Sequence, residues 1–345
     1  MKQIIYKTLQ ELPSLQEDWE RLEKGSDMTY FQTYSWYIML KNIFEDKFSD
    51  LEIVFVLISN KGIITLIAPF VIYRQTKRLI NRKGIYFFGR KGWSDYLNII
   101  YDHFLSEDVD ALLLDVKKKY GINTFFFEQI KENTMLYKYF KGKGVIQKDI
   151  SYQSFGLEMP PSISDYHHLL SKHARQNIRT AQNRICKNGI AMHFIFDDKN
   201  VDKMECIRMR ENRVVTKEKR NIKQSFINGI KNFARRRLID KYPDYIPLIE
   251  DPQSKIFTAY IGDKLCAFLN YGIDIKHKSI VLMAVGIDND YAKYSPGILS
   301  LYSFICSCIK ENKVEYFDFT RGNESYKVVL GGKESLIHNI ILVVE

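Results

Sequence analysis

The sequence predicts an α/β (α+β) protein of two tandem domains, each a mixed central sheet flanked by helices. Three observations predict it. The length, 345 residues, corresponds to about two domains at roughly 150 residues each. Hydrophobic residues make up 46%, aromatics 14% and charged residues 27%, the composition of a chain that folds by burial; it excludes disorder, collagen-like repeats and disulfide-stapled miniproteins. Finally, two hairpins with flanking helical patterns recur, one turning at Asn60-Lys61-Gly62 and one at Gly262-Asp263-Lys264.

In chain order, Pro13 and Ser14 open a helix in which Leu15, Trp19 and Leu22 fall at helical spacing until Gly25, and a second, aromatic-rich helix covers Thr33 to Phe44. LEIVFVLIS and IITLIAPFVIYRQ read as the first hairpin. GIYFFG and YLNIIY add short strands, DVDALLLDVKKKY a helix and NTFFFEQI a buried strand, ahead of the basic, Gly-rich KGKGV. Around Gln153 to Pro161 the pattern starts again, which puts the domain boundary near residue 150 and defines domains 1–150 and 151–345. The second half runs helix, helix, hairpin SKIFTAYIGDKLCAFLNYGID, strand SIVLMAVGI, helix ILSLYSFICSCIKEN, strand VEYFDFT and last strand NIILVV. Asp240 to Ser254, with Pro243, Pro247 and Pro252, reads as a surface loop.

Lys and Arg number 51 against 41 Asp and Glu, a net charge of +10, so anionic partners are favoured. The longest apolar stretch, Ile63 to Tyr73, is far short of the ~20 residues that span a bilayer, and the start lacks a signal-peptide apolar core; the expectation is a cytoplasmic protein without a transmembrane segment. Five cysteines without paired C-x-x-C spacing imply reduced thiols, and the seven histidines form no H-x-x-x-H, so no metal is expected. There is no G-x-S-x-G, Walker loop or G-x-G-x-x-G, and ARRRL near Arg236 has no stacking pattern beside it, so DNA is not an expected partner.

Chemistry concentrates in three stretches. SIVLMAVGID-NDYAKYSPG-ILSLYSFICSCI is a strand, a loop and an apolar helix, an order that aims free N–H groups and a positive helix end at one spot suited to phosphate or carboxylate. Ser295 is the expected N-cap, Pro296 the first helical residue, and Gly297 the point of close backbone approach; an ordinary helix cap is the other reading. In DYHHLLSKHARQNIRTAQNRICKNG, read as one helix, Leu170, Ala174, Ile178, Ala181 and Ile185 share a face, and Lys172, Arg175 and Arg179 lie opposite. No Asp or Glu occurs from Tyr166 to Phe196, so that side is either a solvated basic face or an anion platform. YFDFTRGNESYKVVLGG places Thr320 to Lys327 in one polar turn after a strand, where α/β proteins bind ligands; a polar loop capped by Gly331-Gly332 is the alternative.

Together LSKHARQNIRTAQNRI, YSPGILSLYSFI and FDFTRGNESYKVVLGG, in this order and spacing, resemble the GNAT-like acyltransferases of the CelD-type and BioF-like group, and FQTYSWYIML and WSDYLNII resemble that family's opening segments. The resemblance implies two tandem GNAT-like domains as in FemAB-like transferases: a degenerate one over 1–150 and the acyltransferase over 151–345. The usual GNAT pyrophosphate loop, Q/R-x-x-G-x-G/A, is replaced by Tyr291-Ala292-Lys293-Tyr294-Ser295-Pro296-Gly297, a departure that leaves coenzyme A, an acyl carrier protein or aminoacyl-tRNA open as donor.

The implied activity is transfer of an acyl group, acetyl first, from acyl-CoA as co-substrate to an amino group of a sugar, nucleotide-sugar or related polysaccharide precursor, a small-molecule amine that is phosphorylated or sugar-linked. The alternatives are a tRNA-dependent aminoacyltransferase and a non-catalytic GNAT-fold binding protein. The donor is assigned to Ala284, Val285, Gly286, Ser295, Gly297 and Ile298, with a backbone N–H near Ala284 to Gly286 facing the oxyanion, worth roughly 3 kcal/mol. Asp318 or Glu324 takes the amine proton, Tyr294 or Tyr326 reprotonates the thiolate, and Lys172, Arg175, Arg179, Arg321 and Lys327 hold anionic groups.

Overall fold

The computed structural model describes residues 2–25, 27–47, 51–73, 83–90, 93–220 and 255–345. They form two compact units, Met1–Ser154 with Ser335–Glu345, and Phe155–Glu334. The expected loop at Asp240 to Ser254 and the basic run near Arg236 lie outside the described residues.

The first unit begins with β1 (Lys2–Thr8), α1 (Gln16–Leu22) and α2 (Tyr34–Lys47). β2 (Glu52–Asn60) and β3 (Ile63–Tyr73) pair antiparallel across a turn in which Lys61 and Gly62 both have positive φ, 51° and 82°, the mirror-image turn whose twist matches a hairpin. β4 (Gly84–Phe87), the two-residue β5 (Ile100–Tyr101), α3 (Ser106–Tyr120), β6 (Thr124–Lys131), α4 (Met135–Lys143) and β7 (Ile146–Glu158) follow. The aromatic content goes into this core. Trp19, Tyr37, Phe55 and Phe88 meet largely edge to face, and the Trp19 indole, fully buried, donates to the Gln32 carbonyl at 2.8 Å.

The second unit takes over within β7. It continues through α5 (Ile163–Leu169), α6 (Lys172–Lys187), β8 (Met192–Ile195), α7 (Lys203–Arg220), β9 (Lys255–Ile261), β10 (Lys264–Asp274), β11 (Ser279–Ile287), α8 (Pro296–Glu311), β12 (Tyr316–Arg321) and α9 (Ser325–Val329). Its strands are ordered β8-β9-β10-β11-β12-β7, with the β8–β9, β9–β10 and β10–β11 pairs antiparallel and the β11–β12 pair parallel. On one face α5, α6 and α8 bury Ile178, Phe304, Phe257 and Phe317; on the other, Cys206, Ile207 and Met209 of α7 pack on Leu265, Phe268 and Ala284. All five residues assigned to the apolar face from Leu170 to Ile185 are buried. The helix expected to run through them is two. Ser171 breaks it, because its side chain caps α6 by accepting from the Ala174 N–H at 3.1 Å.

The last strand, β13 (Lys333–Val343), returns to the first unit, whose order is β1-β2-β3-β4-β6-β13-β7. A second domain running to 345 therefore differs from the compact units: β13 finds its antiparallel partner in β6, with Ile337 opposite Lys131 and Val343 opposite Thr124. Each unit repeats the sequence hairpin, third strand, helix, parallel strand, short helix. Both parallel strands carry a left-handed residue near their end, Gln129 at φ 61° and Thr320 at φ 60°.

Candidate active site

β11 and β12 run side by side only over Ser279–Val281 and Tyr316–Asp318. Two local features part them. In β11 the register against β10 shifts so that Ala284 faces Asn270 and Leu282 faces Tyr271, which leaves Met283 as the extra residue of a bulge. In β12 the left-handed Thr320 turns the chain; its hydroxyl donates to the Leu282 carbonyl at 3.0 Å, and its N–H donates to Asp318 Oδ1 at 2.7 Å. Asp318, 4% exposed, thus stands where the strands diverge. Burial, and then the Asp318 charge, push the Tyr316 hydroxyl well above its ordinary range, so Tyr316 stays protonated.

The end of β11 leads through a 3-10 turn, Asn289–Tyr294, to the first residue of α8, Pro296. A Cβ at Gly297 would lie 3.0 Å from Ile287 Cγ2, so the N-terminus of α8 packs directly on the end of β11. Among the described residues neither the Gly297 nor the Ile298 N–H has a backbone acceptor, the first intrahelical bond here being Leu299 N–H to the Ser295 carbonyl at 3.2 Å. Pro296 supplies no N–H, so the helix end offers two donors. Arg184 of α6 ties this turn down by donating to the Lys293 carbonyl.

Several expected roles change with this geometry. Ser295 does not cap α8 through its side chain, because it is left-handed at φ 53° and makes no side-chain cap bond. Tyr294 is 9% exposed and belongs to the same hydrophobic core as Leu299 and Phe304. Gly286 is a glycine for Phe268, whose ring occupies the place of a Cβ, 2.1 Å away; Ala284 and Val285 are buried on opposite faces. Arg175 spends one guanidinium nitrogen on the His167 and Leu170 carbonyls at 2.8 and 2.9 Å, closing the end of α5, while Lys172 and Arg179 stay exposed.

Lys327 departs furthest from an anion-binding role. It is 1% exposed, and its ammonium donates to the carbonyls of Thr320, Arg321 and Gly322 at 3.0, 2.8 and 3.2 Å. Glu324 Oε2 lies 3.2 Å from the same nitrogen. Arg321 is exposed, and Tyr326 is half-buried against Phe319. The structure thus brings Asp318, Arg321, Glu324, Tyr326 and Lys327 to the end of β12 and Ser295, Gly297 and Ile298 to the end of β11. The left-handed backbone of Thr320 and the bulge at Met283, which open the gap between them, have no signature in the sequence.

Residues 172–328 match the sequence model of the acetyltransferase (GNAT) domain family. Over these residues the chain is similar to a GNAT acetyltransferase domain. That region spans α6 to α9 and includes the diverging strands and the start of α8. The whole chain has the fold of a double GNAT, as solved structures at low identity show. FemX is 10% identical, with 98% of this chain and 97% of that one covered at a TM-score of 0.58. A tandem GNAT protein from the clavulanic acid biosynthesis pathway is 7% identical, with 99% and 98% covered at 0.51. A conserved protein of unknown function from Bacteroides thetaiotaomicron is 12% identical, with 99% and 100% covered at 0.53. No protein of curated function matches the sequence.

The first unit repeats the topology without repeating the gap. β4 and β6 pair only at Ile85–Phe125 and Tyr86–Phe126, but the buried segment containing Trp93, Tyr96 and Leu97 then lies along β6, with Leu97 donating to the Gln129 carbonyl at 3.0 Å. Among the described residues no group of His, Cys, Asp and Glu is arranged to hold a metal ion, and no helix is long and apolar enough to cross a membrane.

Proposed function

We propose that the GNAT domain transfers an acyl group from acyl-CoA to an amine in the gap between β11 and β12. The observation that carries this reading is the parting of that parallel pair after three residue pairs, beside the start of α8. A phosphate of the donor sits on the Gly297 and Ile298 N–H groups at the positive end of α8. The thioester enters the gap, where an N–H of β11 near Ala284 to Gly286 faces the oxyanion.

The amine attacks the thioester carbon, the tetrahedral intermediate collapses to an amide, and the thiolate leaves. Asp318 takes the amine proton, directly or through one water, because it stands at the divergence and Glu324 already balances the Lys327 charge. Tyr326 returns a proton to the thiolate, in preference to the core-packed Tyr294. Arg321, Lys172 and Arg179, all exposed, favour a phosphorylated acceptor, in line with a sugar or nucleotide-sugar amine. The test is turnover with acetyl-CoA and amino-sugar phosphates. Asp318→Asn should lose about 10²–10⁴ in kcat with donor affinity kept, and full activity in that variant would remove Asp318 from the mechanism.

A second reading, transfer from aminoacyl-tRNA, is supported by Pro296, which thins the phosphate seat to two donors, and by the FemX-like fold. Binding of charged tRNA in place of acyl-CoA would select it.

A further inference from the structure

A strand that leaves its ladder exposes carbonyls that must find other donors. At the end of β12 the three successive carbonyls of Thr320, Arg321 and Gly322 converge on one ammonium, that of Lys327, at 3.0, 2.8 and 3.2 Å. An ammonium has three N–H donors, and here all three are used, so the 3.2 Å approach of Glu324 Oε2 is an ion pair that neutralises the buried charge. The contacts span one short turn whose backbone is left-handed at both Thr320, φ 60°, and Gly322, φ 119°. A sheet neighbour would satisfy these carbonyls only if β12 stayed extended.

We propose that Lys327 is a positioning residue that substitutes for the missing sheet neighbour at the end of β12 and so holds the gap between β11 and β12 open. The proposal extends the reading of that gap as the acyl-donor site. The ammonium takes no part in recognising an anion; it fixes the turn that orients Arg321 and Glu324 and keeps Thr320 bonded to Leu282.

Two measurements test this without a known acceptor. In the wild-type protein, limited acetic anhydride labelling should modify Lys327 at least about tenfold more slowly than Lys313, which is 80% exposed, because its nitrogen is enclosed and fully bonded. In Lys327→Met, hydrogen exchange over Asp318 to Tyr326 should quicken by about tenfold or more while β9 and β10 exchange as in wild type, and acetyl-CoA affinity should fall by a similar factor. Labelling of Lys327 at the Lys313 rate overturns the proposal, and decides the matter if Lys327→Met does not fold. Unchanged exchange in a folded Lys327→Met, or wild-type acetyl-CoA affinity with a loosened turn, also overturns it. Wild-type protein that binds no acetyl-CoA, yet shows the labelling and exchange results, instead sinks the donor assignment and leaves the role of Lys327 in the turn standing.

Discussion

Replacing Gly286 by alanine places a methyl carbon 2.1 Å from Phe268 Cε1 and 2.7 Å from Cδ1. Unstrained carbon contacts lie at about 3.5–4.0 Å, so the ring must withdraw by roughly 1.5 Å. It has little room. Phe268 is fully buried, lies opposite Gly286 in the β10–β11 register, and packs with Leu265, Cys206 and Ala284. Overpacking of this kind costs about 1–3 kcal/mol, and the entropy that alanine removes from the unfolded chain returns roughly 0.4–1 kcal/mol, for a net loss of about 1–2 kcal/mol. Urea unfolding of Gly286→Ala, Phe268→Leu and the double variant reads this as a cycle. The trimmed side chain should relieve the clash, giving a favourable coupling of about 1 kcal/mol or more, and any acyl-CoA affinity lost in Gly286→Ala should return in the double variant. Strictly additive effects would refute the packing explanation and restore a ligand-facing reason for this glycine.

Arg175 and Arg179 should separate cleanly. Arg175→Ala removes the closure of α5 and should lower stability by about 0.5–1.5 kcal/mol, whereas Arg179→Glu should leave stability within about 0.5 kcal/mol and weaken donor or acceptor binding; thermal melts and binding titrations on the two variants check this. Native thiol labelling at pH 8 should find Cys186, which is exposed, well before Cys206, Cys266 and Cys308, whose thiols burial pushes up to about 12. A second equally fast thiol among those three would contradict the packing on both faces of the GNAT domain's sheet.

Where one local signal decides the structure, the chain is legible. The Lys61-Gly62 turn and the apolar face of Ala174, Ile178, Ala181 and Ile185 follow from residue chemistry and period alone. Leu170 continues that period, so the break at Ser171 is hidden: the side-chain cap that starts α6 competes with a helical pattern that the sequence carries straight through. The return of β13 to β6 is equally silent, since NIILVV pairs with any suitable edge and only the fold chooses which. In the site, the polar turn after β12 and the loop before α8 are visible as clusters. The left-handed Thr320, the bulge at Met283 and the inward Lys327 are not, because a lysine in a polar turn reads as a solvated one until three carbonyls are found around it.

The most direct test of the central claim is acetyl-CoA binding by the wild-type chain and by Gly297→Val, followed by thermal unfolding. A ligand bound only by the folded state, at about 100 times its dissociation constant, adds roughly 2.7 kcal/mol. The account predicts that gain for the wild type and none for Gly297→Val, whose branched side chain fills the seat beside Ile287. An unchanged melting temperature for wild type with acetyl-CoA and longer acyl-CoAs, or an equal gain in the variant, would contradict it.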